Sequence, residues 1–266
     1  MPEAKTINVN GVDTYYVDEG PRDAPVVVMS HSLSAELAMW QPQAETLDSR
    51  YRVIRYDTRG HGESAVPPGP YSLDDLATDA IALIDALDLD EVHWVGLSMG
   101  GMIGQTAALK APEKLKTLTL ADTSSGYPPE AVAGWEERIA GARANGMVGS
   151  VDATIERWFS PGFVQRAPET IAAVRAMILG TPVEGYCGCG AAISKLDVTP
   201  RLGEIETPTL IICGEDDPGT PVSMSEIMRD GIPNSELVIL PVARHLSNLE
   251  DPAGFNAALI KFLDAH

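Results

Sequence analysis

A serine attacks an acyl carbon near neutral pH only when a base takes its proton and an acid orients that base. The run Val95-Gly96-Leu97-Ser98-Met99-Gly100-Gly101 places one serine in the pattern Gly-x-Ser-x-Gly. A β-branched, apolar stretch from Val92 to Leu97 leads into it and a helix-like stretch from Met102 to Leu109 follows. That strand–turn–helix setting gives the pattern its meaning. A turn this tight needs small flanking residues, and Gly96 and Gly100 supply them. It would lift the Ser98 hydroxyl above a sheet, at a helix N-terminus whose free N–H groups point at whatever the serine carries.

Five histidines could serve as the base. His93 lies inside the serine strand, a packing position. His61 lies in a Gly-rich turn, His31 in the loop after an early strand, and His266 is the last residue. His245 follows the final predicted strand, in Pro241-Val242-Ala243-Arg244-His245-Leu246-Ser247-Asn248. Catalytic groups collect at the C-terminal edge of a parallel sheet, so His245 is the candidate base. For the acid, Gly214-Glu215-Asp216-Asp217-Pro218 ends the preceding strand at the same edge. Asp217 is preferred, with Asp216 the near alternative and Asp122 a weaker one. An oxyanion formed on Ser98 needs two backbone N–H donors. Met99 follows the serine directly, and Leu33 lies in the loop after the first parallel strand. Such a cycle acts on a small ester or lactone and calls for no metal or organic cofactor.

The elements that must position these groups follow a repeating order. Lys5–Asn8 and Asp13–Asp18 read as a hairpin joined by Asn10-Gly11. Strands are predicted at Pro25–Ser30, Tyr51–Tyr56, Val92–Leu97 and Leu115–Ala121. A helix turn or two follows Trp40. A longer helix begins at a Ser72-Leu73-Asp74-Asp75 cap, with Leu73, Leu76, Ala77, Ala80, Ile81, Ile84 and Leu87 on one face. Alternating strands and helices imply a mostly parallel sheet covered on both faces. From Thr123 to Thr207 no strand is convincing. Helices are expected at Ala131–Ala144, Val151–Phe159 and Pro168–Leu179, broken at Pro161, Pro168 and Pro182. The expected organisation is a core of residues 1–122 and 208–266 with an inserted helical cap over 123–207. The sheet resumes at Thr209–Cys213 and Glu236–Leu240, with helices at Pro221–Arg229 and Phe255–Leu263.

Composition narrows the partners. A net charge of −19 argues against nucleic acid and would repel an anionic substrate unless a local cation held it. The first ten residues lack an apolar core, and no run approaches membrane-spanning length, so neither a signal peptide nor a membrane partner is expected. Three cysteines, with Cys187 and Cys189 close together, suggest a cytoplasmic protein rather than a disulfide framework. Cys187-x-Cys189 lacks a second ligand pair, so no metal site is expected.

These motifs resemble the α/β-hydrolase family over nearly the whole chain, which implies an α/β fold with a mostly parallel eight-stranded sheet and an inserted helical cap. A closer resemblance is to 3-oxoadipate enol-lactonases. It rests on Arg55-Tyr56-Asp57-Thr58-Arg59-Gly60-His61-Gly62, Gly69-Pro70-Tyr71 and Gly96 to Gly101. It rests also on Arg157-Trp158-Phe159, Glu184-Gly185-Tyr186 and His245-Leu246-Ser247-Asn248-Leu249-Glu250. The resemblance implies opening of 3-oxoadipate enol-lactone to 3-oxoadipate, in the β-ketoadipate pathway of aromatic catabolism. That substrate carries a free carboxylate, for which Arg138, Arg143, Arg157 and Arg175 are candidate partners. Ser32, Trp135, Trp158 and Tyr186 are candidate cavity residues. Cys187-Gly188-Cys189 resembles the small-residue stretch of the enol-lactonase cap. Three positions depart from the pattern near the expected mouth: His31 where asparagine is common, Ser34 where glycine is common, and Arg244 where a small residue precedes the histidine.

Two other readings compete. One is a carboxylesterase or lactonase of different specificity, with a cofactor-free, haloperoxidase-like perhydrolase activity in which peroxide replaces water. The other is a small-molecule receptor on the same fold, which an intact Ser-Asp-His set disfavours. Dehalogenase and epoxide-hydrolase relatives carry aspartate at the position of Ser98.

Overall fold

A computed structural model describes residues 4–266. The first two strands, β1 (Ala4–Val9) and β2 (Val12–Glu19), form the expected hairpin, with Asn10 and Gly11 at positive φ in its turn. Then come β3 (Val26–Ser30), α1 (Gln41–Leu47), β4 (Arg52–Tyr56) and α2 (Leu73–Ala86). The centre is β5 (Val92–Leu97), α3 (Met99–Lys110) and β6 (Leu115–Ala121). Between β6 and β7 lie α4 (Pro129–Asn145), α5 (Val151–Trp158), α6 (Pro161–Arg166), α7 (Pro168–Gly180) and α8 (Val183–Ile193). The chain closes with β7 (Thr209–Gly214), α9 (Val222–Gly231), β8 (Ser235–Leu240), α10 (Ser247–Glu250) and α11 (Pro252–Leu263).

The eight strands form one sheet in the order β1-β2-β4-β3-β5-β6-β7-β8. β2 is antiparallel to both neighbours, and every pairing from β4 onward is parallel. β5 and β7 are buried at every residue, as strands covered on both faces must be. Their C-terminal ends deliver Ser98 and the Asp217 loop to one edge.

Ser72 caps α2 as its sequence suggests. The Ser72 hydroxyl accepts the Asp75 N–H at 3.1 Å, and Asp75 accepts the Ser72 N–H at 2.8 Å. The buried face of α2 includes two residues beyond the apolar stripe, Leu83 and Asp79. Asp79 takes a forked pair of hydrogen bonds from Arg59, at 2.5 and 2.6 Å. This pair fixes the Arg59-Gly60-His61-Gly62 turn on the helix.

Two helices differ from the sequence expectation. Pro161 reads only as a break, but it opens α6, since proline at a first helical position loses no hydrogen bond, just as Pro168 opens α7 where a helix is expected. The run around Cys187-Gly188-Cys189 is helical as α8. Its glycines let it lie directly on the Gly60 turn: a Cβ on Gly185 would stand 1.8 Å from the Gly60 carbonyl oxygen, and one on Gly188 would strike the Tyr71 ring. Among the described residues no helix is long and apolar enough to cross a membrane.

Candidate active site

The turn from β5 into α3 holds Ser98 at φ 54, ψ −113, a backbone state that only a tightly packed surround sustains in a non-glycine residue. Both flanking glycines are required by close approach. A Cβ on Gly96 would meet the Gly100 carbonyl oxygen at 2.1 Å, and one on Gly100 would meet the Ser30 carbonyl oxygen at 2.1 Å. The Ser98 amide donates to the Ala121 carbonyl at 2.8 Å, and Thr123 Oγ1 donates to the Ser98 carbonyl at 2.7 Å.

Ser98 Oγ lies 3.0 Å from His245 Nε2, and His245 Nδ1 lies 2.8 Å from Asp217 Oδ2. Three further donors hold the Asp217 carboxylate. Gly219 N–H (2.7 Å) and Thr220 N–H (3.2 Å) bind Oδ1, and Thr220 Oγ1 (2.6 Å) binds Oδ2. Burial would raise the Asp217 carboxyl, but the adjoining imidazole and these donors outweigh it, and the net shift is downward. Burial would lower His245, but the Asp217 charge and hydrogen bond outweigh it, and the net shift is upward. Asp217 is therefore an anion here, and Nδ1 of His245 carries the proton that it accepts.

The other acid candidates stand elsewhere. Asp216 is exposed. Asp122 is fully buried at φ 43 and serves as a brace: it accepts the Gly214 N–H at 2.8 Å and the Ser247 hydroxyl at 2.5 Å. Burial, then the Asp217 charge, push its carboxyl up to about 7.

Ser98 shares its cavity with the loop after β3. Ser32 N–H points at Met39 Sδ (3.4 Å) and Ser34 N–H donates to His61 Nε2 (3.1 Å), while Leu33 N–H has no partner among the described residues. Met99 is the first residue of α3, so its amide has no carbonyl one turn back to bind.

Ser98 and His245 open into a cavity of about 280 Å³. Ser32, Trp135, Arg138, Trp158 and Tyr186, all expected there, line it. Trp158 lies beside His245, the two ring centroids 6.3 Å apart and the rings tilted by 30°. Arg157 lines the cavity too; Arg143 and Arg175 do not, and Arg175 pairs with Asp152 at 2.6 Å. Arg138 stacks over Trp135 at 4.8 Å and Arg157 donates to Thr154 Oγ1 at 3.2 Å, yet neither has a carboxylate partner among the described residues. Burial and then the like charge of Arg138 lower the Arg157 guanidinium.

A family model for the alpha/beta hydrolase fold matches residues 25–252. The chain belongs to this α/β-hydrolase family. It is 38% identical over 254 residues to 3-oxoadipate enol-lactonase 2 of Acinetobacter baylyi, covering 96% of this chain and 94% of that one. The solved enol-lactonase of Burkholderia xenovorans superposes with a TM-score of 0.94 at 34% identity, covering 98% of this chain and 100% of that one. A thermophilic esterase of Thermogutta terrifontis, solved with malate bound, gives 0.92 at 29% identity, covering 99% and 98%.

Within this α/β-hydrolase, two of the three departures lie away from the cavity. Of His31, Ser34 and Arg244, only Ser34 lines it. His31 is fully buried behind the loop. Arg244 turns outward and binds the carbonyls of Glu156 (2.5 Å) and Phe159 (3.5 Å) at the end of α5, where a cation satisfies unpaired helix carbonyls. The sequence reasoning missed Thr220 and Glu250. Thr220 was detectable, since aspartate before Pro-Gly-Thr can accept the amides two and three residues on. Glu250 accepts the amides of Ser160 and Arg244, both at 3.0 Å, and so ties the His245 loop to the α5–α6 junction. Ninety residues separate Glu250 from Ser160, so no local signal marks that contact.

Proposed function

We propose that the protein is a serine hydrolase that opens 3-oxoadipate enol-lactone to 3-oxoadipate. Ser98 attacks the lactone carbonyl as His245 takes its proton, and Asp217 stabilises the imidazolium. The Leu33 and Met99 amides receive the oxyanion. Collapse breaks the ring C–O bond. The enol oxygen, a better leaving group than an alkoxide, takes the proton from His245 while staying tethered to the acyl-enzyme, and the enol then tautomerises to the ketone. Water activated by His245 then hydrolyses the acyl-enzyme. Segment 123–207 acts as the cap that closes this cavity. The reading places the enzyme in the cytoplasm, in the β-ketoadipate pathway, and its three free, buried thiols suit that compartment.

The observation that carries the substrate class is the pair Arg138 and Arg157. In a chain of net charge −19, two arginines without carboxylate partners among the described residues face the cavity that holds Ser98. A substrate carboxylate supplies what they lack. A second reading, a carboxylesterase or lactonase of other specificity able to use peroxide in place of water, draws on the likeness to the Thermogutta esterase. Comparing kcat/KM on the enol-lactone and on p-nitrophenyl acetate separates them. A strong lactone preference supports the first, and equal values support the second.

A further inference from the structure

Two buried imidazoles behind the cavity take no part in the steps above. His31, on the loop after β3, accepts the Thr58 N–H at Nε2 (2.9 Å). His61, on the turn after β4, accepts the Ser34 N–H at Nε2 (3.1 Å). The two braces cross, each histidine holding the other's segment, with ring centroids 5.2 Å apart. An acceptor at Nε2 places the ring proton on Nδ1. His31 Nδ1–H therefore donates to the Ser32 carbonyl at 2.7 Å, and His61 Nδ1–H faces the Arg59 carbonyl at 3.4 Å. Burial keeps both rings neutral, pushing His31 down to about 4 and His61 to about 3.

The Ser32 carbonyl and the Leu33 N–H belong to one trans peptide plane, so they point in opposite directions. Drawing the Ser32 oxygen onto His31 Nδ1–H, with Ala35 N–H at 3.1 Å on the same oxygen, aims the Leu33 N–H the other way. On the far side of Leu33, Ser34 sits at φ 64, a left-handed state that costs a non-glycine residue energy, and its amide is pinned to His61. Both neighbours of Leu33 are thus fixed by an imidazole, and all three residues line the cavity with Ser98.

We propose that His31 is a positioning residue for acyl transfer: through its Nδ1–H on the Ser32 carbonyl it sets the direction of the Leu33 amide toward the oxyanion, with His61 as the opposing brace. It touches no substrate, and the inference rests on the oxyanion role given to Leu33 above.

Two substitutions separate the two contacts of the ring. His31→Asn keeps an amide donor near the Nδ1 position and gives up the Nε2 acceptor. His31→Gln reaches the Nε2 position and gives up the donor to Ser32. The experiment measures kcat and KM on p-nitrophenyl acetate, and Ki for phenylboronic acid as a mimic of the tetrahedral state. It uses wild type, both variants and Ser98→Ala. His31→Asn keeps kcat within about 3-fold. His31→Gln loses about 10²-fold in kcat, the scale of one lost oxyanion donor, with KM within about 2-fold and Ki weakened by about the same factor as kcat. Wild-type kcat in His31→Gln, or equal losses in the two variants, overturns the proposal. Should His31→Gln not fold, His61→Asn tests the brace from the Ser34 side: kcat falls with KM held, and an unchanged kcat overturns it. Activity surviving in Ser98→Ala overturns instead the serine mechanism on which the proposal rests.

Discussion

Asp122 Oδ2 accepts the Ser247 hydroxyl at 2.5 Å while Oδ1 accepts the Gly214 amide at 2.8 Å. One buried carboxylate at the end of β6 thereby joins the segment leading to Asp217 with the segment following His245. Two carboxylates stand near His245, and their contacts differ in kind. Asp217 meets the imidazole itself; Asp122 meets the backbone on either side.

Exchanging each acid for its amide separates these roles. Asp217→Asn should lower kcat by about 10³–10⁴-fold, because the amide cannot hold the imidazole in its productive tautomer. Asp122→Asn should keep kcat within about 10-fold and instead lower stability by about 1–3 kcal/mol, the cost of disturbing buried hydrogen bonds. Steady-state kinetics and thermal unfolding on both variants check this, and the opposite order would exchange the roles.

The pH profile follows from the net upward shift of His245. Protonated His245 cannot accept the Ser98 proton, so activity falls as pH drops through its pKa. That pKa lies above the ordinary imidazole value of about 6.5 because Asp217 favours the cation. For an uncharged ester, kcat/KM should rise with pH through a midpoint above that value, and the Asp217→Asn midpoint should lie lower. A wild-type midpoint below the ordinary value would contradict the assigned pairing.

Arg138 and Arg157 give a test of substrate class. Arg157→Met should raise KM for the anionic lactone by about 10-fold, the scale of one charge-assisted contact, while changing KM for p-nitrophenyl acetate by less than about 2-fold. Arg138→Met, at the more exposed position, should act in the same direction with a smaller effect. If both variants treat the two substrates alike, the carboxylate is held elsewhere.

The sheet was legible because its signals are local. β5 and β7 read as continuous apolar runs, and the Asn10-Gly11 turn and the Ser72 cap each declare themselves within four residues. Asp217 is distinguishable from Asp216 once burial is known, and the turn Asp217-Pro218-Gly219-Thr220 already hints at it. α8 was hidden because its glycines weaken helix propensity, and the reason for Gly185 and Gly188 is close approach to Gly60 and Tyr71, which lie far off in the chain. Arg244 was misplaced for a related cause: its partners are carbonyls on α5, set by tertiary packing alone. Asp122, His31 and Glu250 share that character, each bracing segments that the chain order keeps apart.

Turnover of the enol-lactone by Ser98→Ala beside the wild type tests the central claim most directly. The account predicts a folded variant with an unchanged unfolding temperature and a kcat reduced by about 10⁵–10⁶-fold, since the bond-forming oxygen is gone. A Ser98→Ala variant that retains turnover within about 10-fold of wild type would contradict it.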